Sequence, residues 1–389
     1  MNRRQKLKYS INAFIHDSRS VGFLLLLCTF VSLTLTNLPL AATEAYSGFW
    51  FVSSSSLHEL HLPHSPIEII NDLLMAVFFF LAGMEIKREL IKGELSSVKK
   101  AGLPMMAAIG GVVFPALIFL LINRGTGLEH GWGIPTATDI AFSLGVAALL
   151  GSKVPYSLKI FLTALAIIDD LCAILIIALF YGGQIAWYWL LAGVCCLVAM
   201  GGVNKWVTGK LRHGLRIILA LILWYAILQS GIHPTIAGIL FAFMIPVSEL
   251  PMYEKKVHIP VNFIIIPLFA LANTCILFPS ELGIVFSSTV SWGIMLGLFI
   301  GKPLGIGLVT YMTTKAGWFK LPEGASWRQF IGIGILAGIG FTMSIFVTSL
   351  AYIEAELQID AKLAVLTASL LAMLVGYVWI YLASSKTGD

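Results

Sequence analysis

Residues 157–180 read SLKIFLTALAIIDDLCAILIIALF, an apolar stretch with one lysine near its start and two consecutive carboxylates, Asp169 and Asp170, near its middle. Its length suits a membrane-spanning helix, which takes about 20 residues. An ionisable side chain at the bilayer centre costs roughly 2.5 kcal/mol or more even on lenient insertion scales. Two in succession therefore mark where chemistry is expected. Neighbours on a helix point about 100° apart, so the two carboxylates cannot serve one partner in the same way. One is expected to face a cation cavity and the other to meet a counter-charge on a nearby helix.

The rest of the chain is of the same kind. Of 389 residues, 58% are hydrophobic and only 12% charged, where soluble domains carry about 25% charged; the mean hydropathy is +0.90. Apolar segments near 20–40, 66–86, 101–122, 130–150, 157–181, 187–206, 212–228, 231–247, 257–278, 289–313, 328–350 and 361–383 predict about twelve transmembrane helices. The fold class is an all-α polytopic membrane protein, read as a single domain over 1–389. The first segment follows Arg3, Arg4, Lys6 and Lys8 like the start of a signal peptide, but its apolar run is long for one. It is expected to be retained. The insertion 41–65 carries a run of four serines, Ser53 to Ser56, and His58, His61 and His64. A hairpin or surface association element on the periplasmic side is expected there, with the histidines as surface polar groups, because no cysteine or clustered carboxylate completes a metal ligand set. The five cysteines, Cys28, Cys172, Cys195, Cys196 and Cys275, lie in or beside apolar segments. They read as small buried apolar residues.

Lysine and arginine concentrate in every second loop. Lys87, Arg88, Lys92, Lys99 and Lys100 occupy 87–100, and Lys153 and Lys159 follow; 205–216 holds Lys205, Lys210, Arg212 and Arg216. Lys255 and Lys256, then Lys315, Lys320 and Arg328, continue the series, whereas the alternate loops contain only Arg124. By the positive-inside rule both termini are expected in the cytoplasm. The basic pI of about 8.9 then reflects topology and contact with anionic lipid, and nucleic-acid binding has no support.

Further ionisable groups lie at depth: Asp72 in IINDLLMAVFFFLAG, Asp139 in GIPTATDIAFSLG and Lys302 in MLGLFIGKPLGIGL. Two readings stand at this point, neutralising structural pairs or an aqueous ion pathway with buried binding carboxylates. In the Asp139 stretch, Pro135 lacks an amide hydrogen and Thr136 and Thr138 compete for backbone hydrogen bonds. The run GIGILAGIGFTMSIF places Gly332, Gly334, Gly338 and Gly340 before Thr342 and Ser344, which suits either a broken helix or a tight helix interface. Two interrupted helices crossing near mid-membrane would present half-helix ends there, with Asp139 suited to the positive and Lys302 to the negative ends. Stretches 101–181 and 289–383 each hold three segments with an interrupted middle one, and the loop charges start them on opposite faces. An inverted-topology repeat is the consequence.

The motifs NDLLMAVFFFLAGMEIKREL, PTATDIAFSLG, LKIFLTALAIIDDLCAI, IPLFALAN, GKPLGI and GILAGIGFTMSIF, in this order and spacing from about residue 12 to 382, resemble the NhaA family of bacterial sodium/proton antiporters. That family is itself an example of the inverted-repeat architecture. The resemblance implies a secondary active transporter, not an enzyme, that exchanges Na⁺ or Li⁺ for H⁺. The expected ratio is two protons per sodium, with regulation of internal pH and sodium as the outcome. It also implies that Asp170 is the principal cation-binding and proton-exchanging carboxylate, that Asp169 is its partner able to pair with Lys302, and that Asp139 and Thr138 belong to the unwound helix at the site. The metal ligands would thus be Asp170 and Asp169 toward transported Na⁺. Asp72 would line the periplasmic route, and Glu85, Glu89, Glu254 and His258 match the region linked to the pH response. A homodimer through 41–65 is implied as well; no cofactor is.

The chain departs from the family pattern in places. Lys255 stands where a second histidine is frequent, Cys172 where glycine is usual, and Leu73 at a typically small position. A sodium-coupled symporter of similar broken-helix design is the alternative, although the weakly charged core offers no obvious arginine for an organic anion. An intramembrane aspartyl protease would need its carboxylates on two helices. A channel would not couple sodium to protons.

Overall fold

The computed structural model describes residues 18–38, 41–279, 283 and 287–384; the basic N-terminal arm and most of the 279–288 loop lie outside the described residues. All regular structure among the described residues is helical. In chain order it comprises α1 (Ser18–Asn37), α2 (Ala41–Phe51), α3 (Ser55–Glu59), α4 (Pro66–Lys92), α5 (Val98–Ile122), a 3₁₀ segment Glu129–Thr136, α6 (Ile140–Leu149) and α7 (Tyr156–Phe180). Then follow α8 (Trp187–Trp206), α9 (Gly209–Gln229), α10 (Ile236–Met244), α11 (Leu250–Asn273), α12 (Thr289–Lys315), α13 (Trp327–Ala337), α14 (Phe341–Ala351) and α15 (Ala355–Ser384).

Ten of these helices, with 129–149 counted as one, are long and apolar enough to cross a membrane; α13 and α14, bent by 41° at a short break, make an eleventh span. The segment expected over 231–247 folds differently. Only the nine residues of α10 are helical, about 13 Å at 1.5 Å per residue, less than half of a hydrocarbon core of about 30 Å. Its end has a local cause: Ile245 precedes Pro246 and is extended, with ψ 128°, as the residue before a proline prefers. The carbonyls released there accept hydrogen bonds from Lys87 Nζ, at 2.6 Å to both Phe243 and Ile245, and from Asn204 Nδ2 to Met244 at 2.7 Å. The described part of the 41–65 insertion is also helical, forming α2 and α3, so the hairpin expected there is a pair of short helices.

The chain, read as one transporter domain, packs as two compact units whose pieces interleave in sequence. The first comprises residues 94–173 and 276–384 with the start of α1. In it α5 and α12 touch backbone to backbone. A Cβ on Gly110 would lie 2.3 Å from the Gly305 carbonyl oxygen, and one on Gly305 would lie 2.1 Å from that of Gly110, so only glycine fits at either position. That contact sets Lys302, one turn earlier on α12, against α5. Just before it, Gly297–Gly301 widens into a π-helical turn; Pro303 has no N–H to give to the Phe299 carbonyl, so regular α pairing fails there. Both stretches, 101–181 and 289–383, run as a continuous helix, an interrupted one and a second continuous one.

The second unit comprises residues 31–93 and 174–275. Here α4 carries a π-helical turn at Ile69–Leu74 that includes Asp72, and α11 carries another at Val261–Ile265. Such turns recur at functional sites. Arg216, counted above with the cytoplasmic loop charges, is instead fully buried on α9. It donates to Asn204 Oδ1 at 2.6 Å and to Glu249 Oε2 at 2.5 Å, while Arg212 reaches Glu249 Oε1 at 2.8 Å.

Candidate functional site

The two interrupted helices meet at their breaks within the first unit. Residues 137–139 are extended, with ψ 152° at Ala137 and 107° at Asp139, and residues 338–340 separate α13 from α14. The freed backbone groups pair across the crossing. Asp139 N–H donates to the Ile339 carbonyl at 2.7 Å, and Ser344 Oγ donates to the Ile134 carbonyl at 2.7 Å. This is the condition under which non-helical backbone is tolerated at membrane depth: it is buried in protein and satisfied by it.

Charge follows the helix ends. Asp139, 2% exposed, is the N-cap of α6: its Oδ1 accepts the Phe142 N–H at 3.0 Å. Its Oδ2 accepts the N–H of Thr342 at 3.0 Å and that residue's hydroxyl at 2.5 Å, at the start of α14. One carboxylate therefore serves two helix N-termini, each a partial positive charge. Lys302 does the reverse. Its Nζ donates to the Thr136 carbonyl at 2.5 Å, at the end of the 3₁₀ segment, and the Thr138 hydroxyl lies 2.8 Å from the Ala337 carbonyl, the last of α13.

The carboxylate of α7 joins these elements. Asp169 Oδ2 lies 2.9 Å from Lys302 Nζ, with both side chains fully buried, and 2.7 Å from Thr138 Oγ1. The ammonium and the hydroxyl thus converge on one oxygen, while Asp169 Oδ1 is buried with no hydrogen-bond partner among the described residues. Asp170, the next residue, is 5% exposed, and its charge acts on Lys302 as well. Carboxylate, hydroxyl and carbonyl oxygens are the donors that a hard cation prefers. Among the described residues no group of three or more His, Cys, Asp or Glu side chains could hold a metal ion, so any cation here relies on mixed oxygen donors. Of the residues singled out in the sequence, Asp169, Thr138, Lys302 and Asp139 come together at the crossing, with Asp170 adjacent.

The others lie in the second unit. Asp72 Oδ1 is 3.5 Å from His233 Nε2, and the Asp72 carbonyl accepts from Trp224 Nε1 at 2.9 Å. Glu254 Oε2 pairs with Arg88 Nη1 at 2.5 Å, Arg88 Nε lies 3.5 Å from Glu89 Oε1, and Glu85 feels the charges of all three. His258 is exposed, one helical turn beyond Glu254. The sequence reading missed His233, which the turn GIHP carries beside Asp72's helix, and Ser369, whose hydroxyl accepts from the start of α14. A histidine at the foot of a short apolar segment was a usable signal for the first; a serine among apolar residues gave none for the second.

A model of the Na⁺/H⁺ antiporter 1 family matches residues 12–380. The Na⁺/H⁺ antiporter NhaA of Dechloromonas aromatica strain RCB is 45% identical over 385 residues, covering 96% of each chain. Na⁺/H⁺ antiporter NhaA 1 of Flavobacterium johnsoniae is 44% identical, over 96% of this chain and 97% of its own. The NhaA of Shewanella frigidimarina is 42% identical, over 98% and 99%. With this match across nearly its whole length, and with two broken helices crossing at a buried Asp–Lys pair, the chain belongs to the Na⁺/H⁺ antiporter 1 family.

Proposed function

We propose that this protein exchanges cytoplasmic Na⁺ or Li⁺ for external H⁺ through the crossing of its two broken helices, with Asp170 and Asp169 as the cation-binding carboxylates. The observation that carries this is the fully buried Asp169–Lys302 pair with its unpartnered Asp169 oxygen. A carboxylate and an amine both exchange protons readily when their surroundings change, and a cation arriving at Asp169 competes with Lys302 for it. Displacement of Lys302 from Asp169 favours loss of its proton, and deprotonation of Asp170 supplies a second. Two protons leave as one sodium binds, which makes the cycle electrogenic and drivable by the membrane potential. Release of the cation toward the periplasm accompanies their return.

Thr138 contributes an oxygen to the site, and Asp139 contributes both charge balance for the half-helices and a carboxylate near the cation. Asp72 lines the periplasmic route. Glu85, Glu89, Glu254 and His258 form the pH-responsive region at the cytoplasmic end of α4 and the start of α11. The matching order of continuous and interrupted helices in 101–181 and 289–383 supports an inverted repeat. The protein resides in the bacterial inner membrane with both termini cytoplasmic, in contact with anionic lipid, as a homodimer through 41–65, and serves sodium and pH homeostasis.

The test uses everted vesicles with an imposed proton gradient. Addition of Na⁺ or Li⁺ is expected to dissipate the gradient, and Asp170→Asn to abolish the response. An undiminished response in that variant removes Asp170 from the site.

A further inference from the structure

The start of α14 is held from two sides. Like every helix N-terminus it carries N–H groups without a partner one turn back, and its N-cap residue, Gly340, has no side chain to satisfy them. A side chain is excluded there, since a Cβ on Gly340 would lie 2.2 Å from Ser344 Oγ and 2.9 Å from Leu298. The cap comes from α15 instead. Ser369 Oγ accepts the N–H of Gly340 at 3.3 Å and that of Phe341 at 3.2 Å. The next N–H, that of Thr342, goes to Asp139 Oδ2.

Asp139 thus has both oxygens engaged by helix ends, Oδ1 at α6 and Oδ2 at α14. To contribute to a bound cation it must loosen at least one of these holds. The strength of the α14 hold depends on how many N–H groups at that end have another acceptor, because each one left unpaired adds to the positive field that draws the carboxylate in.

We propose that Ser369 is a positioning residue for the ion site: by taking two N–H groups of the α14 start onto a neutral hydroxyl, it weakens that helix end's hold on Asp139 and lets the carboxylate turn toward the cation. The proposal rests on the reading above in which Asp139 contributes to the site. Without the Ser369 hydroxyl the α14 terminus binds Asp139 more tightly, and sodium has to compete harder for it. The loss of one N-cap shifts an equilibrium by roughly fivefold.

The experiment measures initial rates of sodium-dependent proton movement in proteoliposomes across a range of Na⁺ concentrations. Ser369→Ala is expected to raise the half-saturating Na⁺ concentration about three- to tenfold at a nearly unchanged maximal rate. Ser369→Cys, close in size but with a weakly accepting sulfur, is expected to do the same and serves if the alanine variant does not fold. Ser369→Thr, which keeps the hydroxyl, is expected to restore the original value. An unchanged half-saturating concentration in the alanine or cysteine variant, or a fall in maximal rate alone, overturns the role. Asp139→Asn run alongside separates the two ideas. If it weakens or abolishes exchange while the Ser369 variants leave half-saturation in place, only the role of Ser369 fails. If rate and half-saturation are both unchanged in it, the underlying reading of Asp139 fails.

Discussion

Each unit of the molecule holds an ion pair on a fully buried cation, and the two are built for opposite ends. In the first, Lys302 and Thr138 converge on one oxygen of Asp169 and the other oxygen has no partner. In the second, both oxygens of Glu249 are engaged, one by Arg216 and one by Arg212, and Asn204 takes a further Arg216 donor. The chemistry of the cations deepens the contrast. Arginine stays charged under all conditions a protein meets, whereas a buried lysine gives up its proton comparatively easily. Arg216 cannot give up its proton, so around neutral pH the Arg216–Glu249 pair holds structure, here the turn that leads into α11. The Asp169–Lys302 pair can be neutralised by proton movement. An incompletely paired carboxylate beside a lysine has the properties needed for exchange.

The largest effect is expected where the cation cannot give up its proton. Glu249→Ala leaves the Arg216 cation buried and uncompensated, a loss of about 3–5 kcal/mol for a pair broken in this way, seen as a lowered unfolding temperature of the detergent-purified protein. The pH dependence has a defined sign. Burial favours the protonated form of Glu249, but the hydrogen bond and charge of Arg216, then the charges of Arg212 and His213, outweigh it and hold the carboxyl below the usual glutamate range. Its stabilisation is therefore fully present above about pH 4.3, the ordinary glutamate value, and is lost as pH falls through the lower native value. The gap in unfolding temperature between the native protein and Glu249→Gln should close only in acid; a gap that closes instead on the alkaline side contradicts the assignment.

A smaller effect is expected at Asp139, which caps two helices. Asp139→Ala should cost about 2 kcal/mol, the sum of two caps at about 1 kcal/mol each, in the same unfolding measurement. Loss of Lys302 should cost less stability than loss of Glu249, because the Asp169 carboxyl left behind can take up a proton. Its signature is functional: Lys302→Ala removes the charge that favours the carboxylate, so the pH profile of exchange should move to higher pH. A profile that stays in place counts against coupling between Lys302 and Asp169. The smallest change is expected for Thr138→Val, about 1 kcal/mol for one hydrogen bond, within reach of a careful unfolding comparison.

Much of this contrast was legible in the chain because membrane depth makes charge conspicuous. Asp169, Asp170, Lys302 and Asp139 stand out against apolar neighbours, and Pro135 and the glycines near 338 mark the breaks without reference to any contact. The less visible features depend on partners distant in sequence or on how a helix turns. Arg216 lies among loop-like charges and declares its burial only through Glu249 and Asn204. Lys362, at the edge of an apolar segment, is likewise buried on α15. Ser369 is indistinguishable from any small residue of a membrane helix until the start of α14 is set against it. Hydropathy also extended the 231–247 segment across a turn, since Gly231, His233, Pro234 and Pro246 do not lower the average enough to reveal that only Ile236–Met244 is helical. The π-helical turn at Asp72 leaves no mark in composition, whereas the one before Lys302 is signalled by Pro303.

The central claim is that sodium and protons compete for the same carboxylates at the crossing. The most direct measurement is of protons released when Na⁺ is added to the purified, weakly buffered protein, in the absence of any membrane or gradient. Release of close to two protons per bound sodium is expected from the native protein and its loss in Asp170→Asn. Sodium binding without proton release, or unaltered release in Asp170→Asn, would contradict it.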